Sequence, residues 1–379
     1  VRDEHLDDRH LVRRIVLKRV IYGADMNPMA VELAKLSLWL HSFTVGAPLS
    51  FLDHHLRTGD SLFGEFVHQA EERIRQRGSL LIGQAVAQAR QAARGMSMIA
   101  ELTDADIAEV RESASIFGGV EEAIRPLSRF LDFIHATRWL EPDLGEAEKR
   151  ALDYLLDGEF GDPIKVITEG GPEWTAAQEP EFLNELIRKV RTLSQERRFQ
   201  HWEVAFPDVW EDWESNRPRG GFDAVIGNPP WDKVEVEDAA WFRAHAPEFI
   251  GRASVPKREL RAAITRAERT ESAVWRDFCS IRDRMRAALR VARTGGAFPL
   301  TSSGRADLFA LFVERGLRLL CPGGRLGMLV PTGLVADRRT APFFVQLAQA
   351  GQVIDILDFE NRLGKIRNVA PSRLLKFVA

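Results

Sequence analysis

Asn228, Pro229, Pro230 and Trp231 follow directly on the apolar run FDAVIG at 222–227. Two consecutive prolines bring fixed φ angles and no N–H donors, so they can neither continue a sheet ladder nor open deep in a helix. The run therefore reads as a short strand that stops in a rigid loop. Such a loop suits alkylation of an aromatic amine. The lone pair of that nitrogen is delocalised into its ring, and it becomes nucleophilic only when the nitrogen is drawn toward tetrahedral geometry. Two fixed acceptors aimed at the amino hydrogens do this: the Asn228 side-chain oxygen and the Pro229 carbonyl, held stiff by Pro230. Trp231 offers a face on which an extruded base can stack. No covalent nucleophile is needed. A proline-stiffened turn with a core Trp has the same four residues; the strand before it and two acids upstream favour the chemical reading.

Those acids also sit behind strand-like runs. Asp25 follows RVIY at 19–22, where a carboxylate can take both ribose hydroxyls of a nucleoside cofactor, and Met26 beside it can pack on the adenine. Asp60 follows HLRT at 55–58 and can accept from an exocyclic amine, with Ser61 and Leu62 next in line and Leu62 offering an apolar face. An acid after a strand is also an ordinary turn or cap residue, so neither acid alone separates the two roles.

These groups need a scaffold of alternating elements. Asn27-Pro28 supplies an N-cap and a proline for the first helical turn, and MAVELAKLSLWLH at 29–41 continues as helix. Long helical stretches follow at 71–94 and 181–197, broken by loops near Glu141-Pro142 and Gly170-Gly171-Pro172, with no internal repeat. After FDAVIG, residues 238–291 read as mostly helical. Then come a helix at 305–320, a stop at 321–324, a strand at 325–331, a helix at 337–349 and strands at 353–359 and 373–378. Strands alternating with helices argue for an α/β fold with a mostly parallel, doubly wound sheet.

Composition bounds the partners. The 379 residues, 45% of them apolar and 28% charged, can fill a large core and exclude a disordered or collagen-like chain; they read as soluble and intracellular. Two cysteines, Cys279 and Cys321, exclude a disulfide framework and a cysteine-rich zinc site. The formal charge of −3 argues at first against nucleic acid. It hides a basic stripe, since residues 257–293 carry eleven Lys or Arg against five acids. That stripe is either a DNA-facing track, which Arg305, Arg362, Lys365, Arg367, Arg373 and Lys376 would extend, or a solvated amphipathic helix. His54-His55 has no partner cluster and reads as a solvated loop rather than a metal site.

The blocks at 20–40, 55–64, 201–210, 221–234 and 306–334 together resemble the S-adenosylmethionine-dependent adenine-N6 DNA methyltransferases, specifically the insertion-rich type IIG restriction-modification and phage-defence group. The resemblance implies a seven-stranded Rossmann-like sheet, S-adenosylmethionine as methyl donor, a flipped adenine in double-stranded DNA as acceptor, and a bacterial cytoplasmic, nucleoid-associated protein, with other restriction or defence subunits as candidate partners. By position it implies Asp25 on the ribose, Met26 against the cofactor adenine, Asp60 on that adenine's amine with Ser61 and Leu62, residues 228–231 as the catalytic loop, and Phe312 as a pocket wall. Phe312 equally suits a helix core. The implied layout is a core over 1–64, a helical insertion over 65–200, a core strand and catalytic loop over 201–234, a basic helical insertion over 235–304, and a core again over 305–379.

One part of the pattern has no counterpart. The first strand of such sheets and its glycine-rich loop should precede residue 19, between the strands that end at Asp25 and Gly227. Val1 then reads as a cut edge, and the chain alone is expected to fold poorly or to bind cofactor weakly.

Competing chemistries find less support in the residues. Cytosine-C5 methylation needs a Cys nucleophile, usually within Pro-Cys, and only the reversed Cys321-Pro322 is present. A nuclease with an acid two positions before its Lys is excluded, because none of the nine lysines has one. A protein glutamine amide could replace adenine in the same loop, and an inactive DNA-binding scaffold of a defence complex is a third alternative; the basic helices and insertions favour DNA.

Overall fold

The computed structural model describes residues 8–43, 48–76, 83–104, 106–170, 180–210, 220–231, 237–252, 254–302, 306–360 and 373–378. Val1, the loop residues Gly46, Ala47, Gly171 and Pro172, and the tail residues Arg305, Arg362, Lys365 and Arg367 lie outside the described residues. The chain divides into two compact units, 1–221 and 222–379. The boundary falls inside the 201–234 stretch that the sequence reading treats as one piece.

In the first unit α1 (Asp8–Arg19) precedes β1 (Gly23–Asp25), α2 (Pro28–His41) and β2 (Leu56–Thr58). The strand expected at 19–22 starts at Gly23. The reason is local: the Val16 carbonyl accepts from the N–H groups of Val20 and Ile21, so the RVIY stretch closes the helix before the chain extends. α2 begins as its sequence dictates, with Asn27 Oδ1 capping the Met29 N–H at 3.0 Å and Pro28 in the first turn. β1 and β2 are parallel, with Asp25 opposite Thr58. Leu17, Val31, Leu52 and Leu56 form the small core that joins them. Among the described residues β1 pairs on one side only. α2 also carries an exposed apolar stripe, Met29, Leu33, Leu36 and Leu40, at helical spacing.

The 65–200 stretch is mostly helical among the described residues: α3 (Val67–Gln76), α4 (Gly83–Glu101), α5 (Ile107–Leu140), α6 (Glu146–Leu156), the short α7 (Pro163–Lys165) and α8 (Pro180–Arg197), the last of which matches the helix expected at 181–197. α5 is the spine; its Leu127, Phe130, Leu131 and Phe133 are fully buried, as are Leu183 and Leu186 of α8. A buried polar knot ties the insertion to α1: Lys18 Nζ lies 2.5 Å from Asp104 Oδ1, Arg14 donates to the Asp104 carbonyl at 2.7 Å, and Ser113 donates to the same carboxylate at 3.0 Å. Burial depresses the Lys18 pKa against the pull of Asp104. A lone buried charge here would be expensive, so the two partners hold each other in place. The short α9 (Trp202–Ala205) completes this unit.

In the second unit β3 (Phe222–Gly227) leads to α10 (Asp238–His245), α11 (Lys257–Arg269), α12 (Ala273–Thr294), α13 (Leu308–Arg318), β4 (Leu320–Pro331), α14 (Gly333–Ala336), α15 (Ala341–Gln349), β5 (Asp355–Glu360) and β6 (Arg373–Val378). The sheet order is β3-β4-β6-β5. β3 and β4 are parallel, and β6 runs antiparallel to both β4 and β5, so β3, β4 and β5 share one direction and β6 alone is reversed. The expected stop at 321–324 is instead a bulged start of β4: Phe222 faces Leu320 and Ala224 faces Arg325, and the extra residues turn at Gly323, whose φ is +84°. α13 packs on the sheet through Phe309, Ala310 and Val313 against Leu326, Met328 and Val330. β3 has no strand on its other edge among the described residues, and its Ile226 is 86% exposed.

Candidate functional site

Asp25, Asp60 and Asn228 stand at or just past the carboxyl ends of strands, where open α/β sheets collect their ligands. Asp25 is the last residue of β1 and is exposed. Its Oδ1 accepts the Asn27 N–H at 2.7 Å, which fixes the carboxylate at the mouth of the turn. Met26 is 47% exposed beside it. Asp60 lies two residues beyond β2, half-buried, and its Oδ1 accepts from the N–H groups of Leu62 at 3.0 Å and Phe63 at 3.1 Å. Because β1 and β2 are parallel neighbours, and the Gly59 N–H donates to the Asp25 carbonyl at 2.9 Å, both acids share one edge. Ser61 is half-buried, whereas Leu62 is only 2% exposed and its side chain belongs to the interior.

The loop that carries Asp60, Ser61 and Leu62 is built by residues from beyond the insertion, which the sequence reading missed. Phe199 bridges Asp60 in parallel. The Asp60 N–H donates to the Arg198 carbonyl at 2.6 Å, the Gln200 N–H to Phe63 at 2.9 Å, and the Trp202 indole N–H to the Ser61 carbonyl at 3.1 Å. Lower in the loop, the Glu65 N–H donates to His201 Nδ1 at 3.0 Å, and the Val67 N–H to Glu203. Glu65 is itself buried beneath His135, Arg138 and Arg73. Burial would raise its pKa, but the His135 hydrogen bond and the charges of Arg73 and His201 hold it below the usual carboxylate range. Glycine at 59 and 64, where the 198–203 backbone comes closest, was the signal that could have revealed this pairing.

Behind the same edge, Tyr22 donates to Asp208 at 2.5 Å and its ring lies 3.9 Å from that of His55. Burial raises the pKa of Tyr22 and of Asp208 alike. The expectation of a solvated His54-His55 loop is corrected: these side chains are 1% and 2% exposed, and their rings lie 4.1 Å apart, tilted by 42°. Burial lowers their pKa values to about 4 and about 3, so both are neutral. An unfolded chain protonates both below about pH 6.5, the folded one only far lower. Their contribution to stability is therefore complete above pH 6.5 and is lost as the pH falls toward 4, at about 1.4 kcal/mol per pH unit for each imidazole. A urea midpoint that falls steeply from pH 6.5 to 5.5, and less steeply in His55→Phe, is expected; a flat midpoint would contradict the burial.

In the second unit Asn228 is exposed one residue past β3, Pro229 is buried, Pro230 is exposed and Trp231 is half-buried. The loop is thus anchored at one proline while the amide faces outward. The Trp231 indole N–H is buried without a hydrogen-bond partner among the described residues. Phe312, on α13, is partly buried against the core of this unit. Cys321 carries no sign of an activated thiol: burial and the neighbouring Asp223 raise its pKa. The described residues hold no group of three or more potential metal ligands and no helix long and apolar enough to cross a membrane.

A family model for the Eco57I restriction-modification methylase matches residues 19–248, from the end of α1 through both parallel strands, the insertion and β3 to the loop at 228–231. No curated protein and no solved structure matches the chain. With more than half its length matched, and with the three strand ends and the proline loop inside the match, the chain belongs to the Eco57I restriction-modification methylase family, the DNA methyltransferases of restriction-modification systems.

Proposed function

We propose that the protein transfers a methyl group from S-adenosylmethionine to N6 of adenine in double-stranded DNA, within a restriction-modification or phage-defence system. The observation that carries this is the loop at 228–231, with an outward amide directly behind a buried proline and a Trp whose ring is partly open. Asn228 Oδ1 and the Pro229 carbonyl accept the two amino hydrogens of a flipped adenine and draw the nitrogen toward tetrahedral geometry, while Trp231 stacks on the ring. The displaced amino proton leaves to solvent. S-adenosylmethionine, when bound, supplies an electrophilic methyl group. Asp25 and Asp60 fit this cofactor, because one edge presents an exposed carboxylate for the ribose and a half-buried one for the adenine amine. On the first unit Met26 would pack on its adenine with Ser61 beside it, and Leu62 would support the pocket from behind.

A Rossmann-like sheet of this activity carries a first strand with a glycine-rich loop, and among the described residues no strand precedes β1. In the first unit the free edge of β1, unpaired among the described residues, and the apolar stripe on α2 are surfaces that such a strand and its helix would cover. Titration of this chain with S-adenosylmethionine is expected to show binding weaker than micromolar; micromolar affinity would contradict that expectation. The activity itself is tested by incubating the intact protein with unmethylated duplex DNA and labelled S-adenosylmethionine. Label in N6-methyladenine is expected, whereas label in protein would point to a glutamine amide, and no label to an inactive scaffold.

A further inference from the structure

We propose that the arginine face of α11 docks the phosphate backbone of duplex DNA, an inference that rests on DNA being the substrate. α10, α11 and α12 fold around their own aromatic core, with Trp241, Phe242, Phe249, Leu260, Ala263 and Phe278 buried together. Leu260 and Ala263 commit one side of α11 to that core. On the opposite side Arg258, Arg261, Thr265 and Arg269 follow one another at spacings of three, four and four, and so form one stripe. All four are exposed, with Lys257 and Arg266 exposed on the flanks.

None of these five basic side chains has an acid partner among the described residues. The ion pairs recorded in this region are Arg252 with Glu259 at 2.5 Å, and Arg282 and Arg286 with Asp283 at 3.3 and 3.7 Å. The acids of α11 are Glu259, paired with Arg252, and Glu268, both exposed on the flanks of the stripe. Arg258 and Arg261, like Arg266 and Arg269, are like-charge pairs one turn apart, an arrangement that disfavours an isolated helix. A polyanion laid along the stripe offsets that repulsion. From Arg258 to Arg269 the stripe runs about 16 Å at about 1.5 Å per residue, the axial length of about five phosphates on one strand. The platform begins at α10, seven residues past Trp231, so it belongs to the same unit as the loop assigned to the flipped base.

The test is the salt dependence of binding to a 30-base-pair duplex, measured on the full chain. Each phosphate contact contributes about 0.9 to the slope of log K against log salt. The variant Arg258→Gln, Arg261→Gln, Arg269→Gln is therefore expected to flatten that slope by about 2 to 3 and to weaken binding alike on unrelated sequences. A control that removes as much charge from the insertion, Arg94→Gln, Arg111→Gln, Arg188→Gln, is expected to leave the slope unchanged. An unchanged slope in the α11 variant, equal flattening in the control, or no duplex binding by the wild type at low salt overturns the inference. Methyl transfer is read separately. Absent transfer with a flattened slope rejects the proposed reaction and keeps the surface; transfer with an unchanged slope does the reverse.

Discussion

Asn228→Ala is expected to lower kcat for DNA methylation by at least 100-fold, with KM changed far less. The side-chain oxygen of Asn228 is one of two fixed acceptors for the adenine amine, and the other, the Pro229 carbonyl, cannot reach both hydrogens. Removing one preorganised hydrogen-bonding group from where charge develops costs about 10²–10³ in rate. Asn228 is exposed and lies outside the strand ladder, so truncation leaves β3 paired with β4 and the melting temperature unchanged. Asn228→Asp separates the chemical role from mere bulk. It keeps an acceptor oxygen and loses only the amide N–H₂, so it should retain more activity than alanine. Rates for Asn228→Ala within threefold of the wild type, at saturating DNA and cofactor, would remove this residue from the mechanism.

What the sequence makes legible follows from how local the physics is. The loop at 228–231 could be read because two prolines end a strand by themselves, whatever surrounds them. α2 could be read because Asn27 and Pro28 start a helix through bonds to their nearest neighbours. β1 was misplaced by four residues because RVIY has strand-like side chains while the Val16 carbonyl keeps the helix going. The antiparallel direction of β6 could not be read, since RLLKFV has the same composition whichever way it runs. The burial of His54 and His55 depends on Tyr22, Phe51 and Phe117 closing over them, and Phe117 comes from α5, more than 60 positions away. The Asp60 loop is the extreme case. Its two acceptor contacts from Leu62 and Phe63 are local and Gly59 ties it to Asp25, but the other bonds that fix its position arrive from residues 198–203. The far end of the helical stretch thus holds one of the candidate site's loops in place.

That dependence makes Gly64→Ala the most disruptive single methyl group that could be added to the first unit. A Cβ at residue 64 would lie well inside 3.0 Å of the Gln200 carbonyl oxygen, 2.6 Å from its carbonyl carbon and 3.2 Å from the His201 nitrogen. All three are backbone atoms, so no side chain can swing aside. Relief requires the 198–203 segment to move away, which breaks the Gln200 bond to Phe63 and the Glu65 bond to His201. Overpacking alone costs about 1–3 kcal/mol, and each buried group left unpaired adds about 1–3 kcal/mol. A loss of about 4 kcal/mol is expected, seen as a melting temperature lower by roughly 10 °C. Gly59→Ala should be milder, because the nearest atoms to its Cβ are the Gln200 side-chain amide, which can rotate. Gly119→Ala, in the middle of α5 with nothing within 4 Å, should instead stabilise by about 0.5–1 kcal/mol. In the intact protein the Gly64 variant should also bind S-adenosylmethionine at least tenfold more weakly, since the Asp60 carboxylate loses its fixed position while its chemistry is unchanged. A Gly64→Ala protein that melts within 2 °C of the wild type would show that the 198–203 segment does not hold this loop.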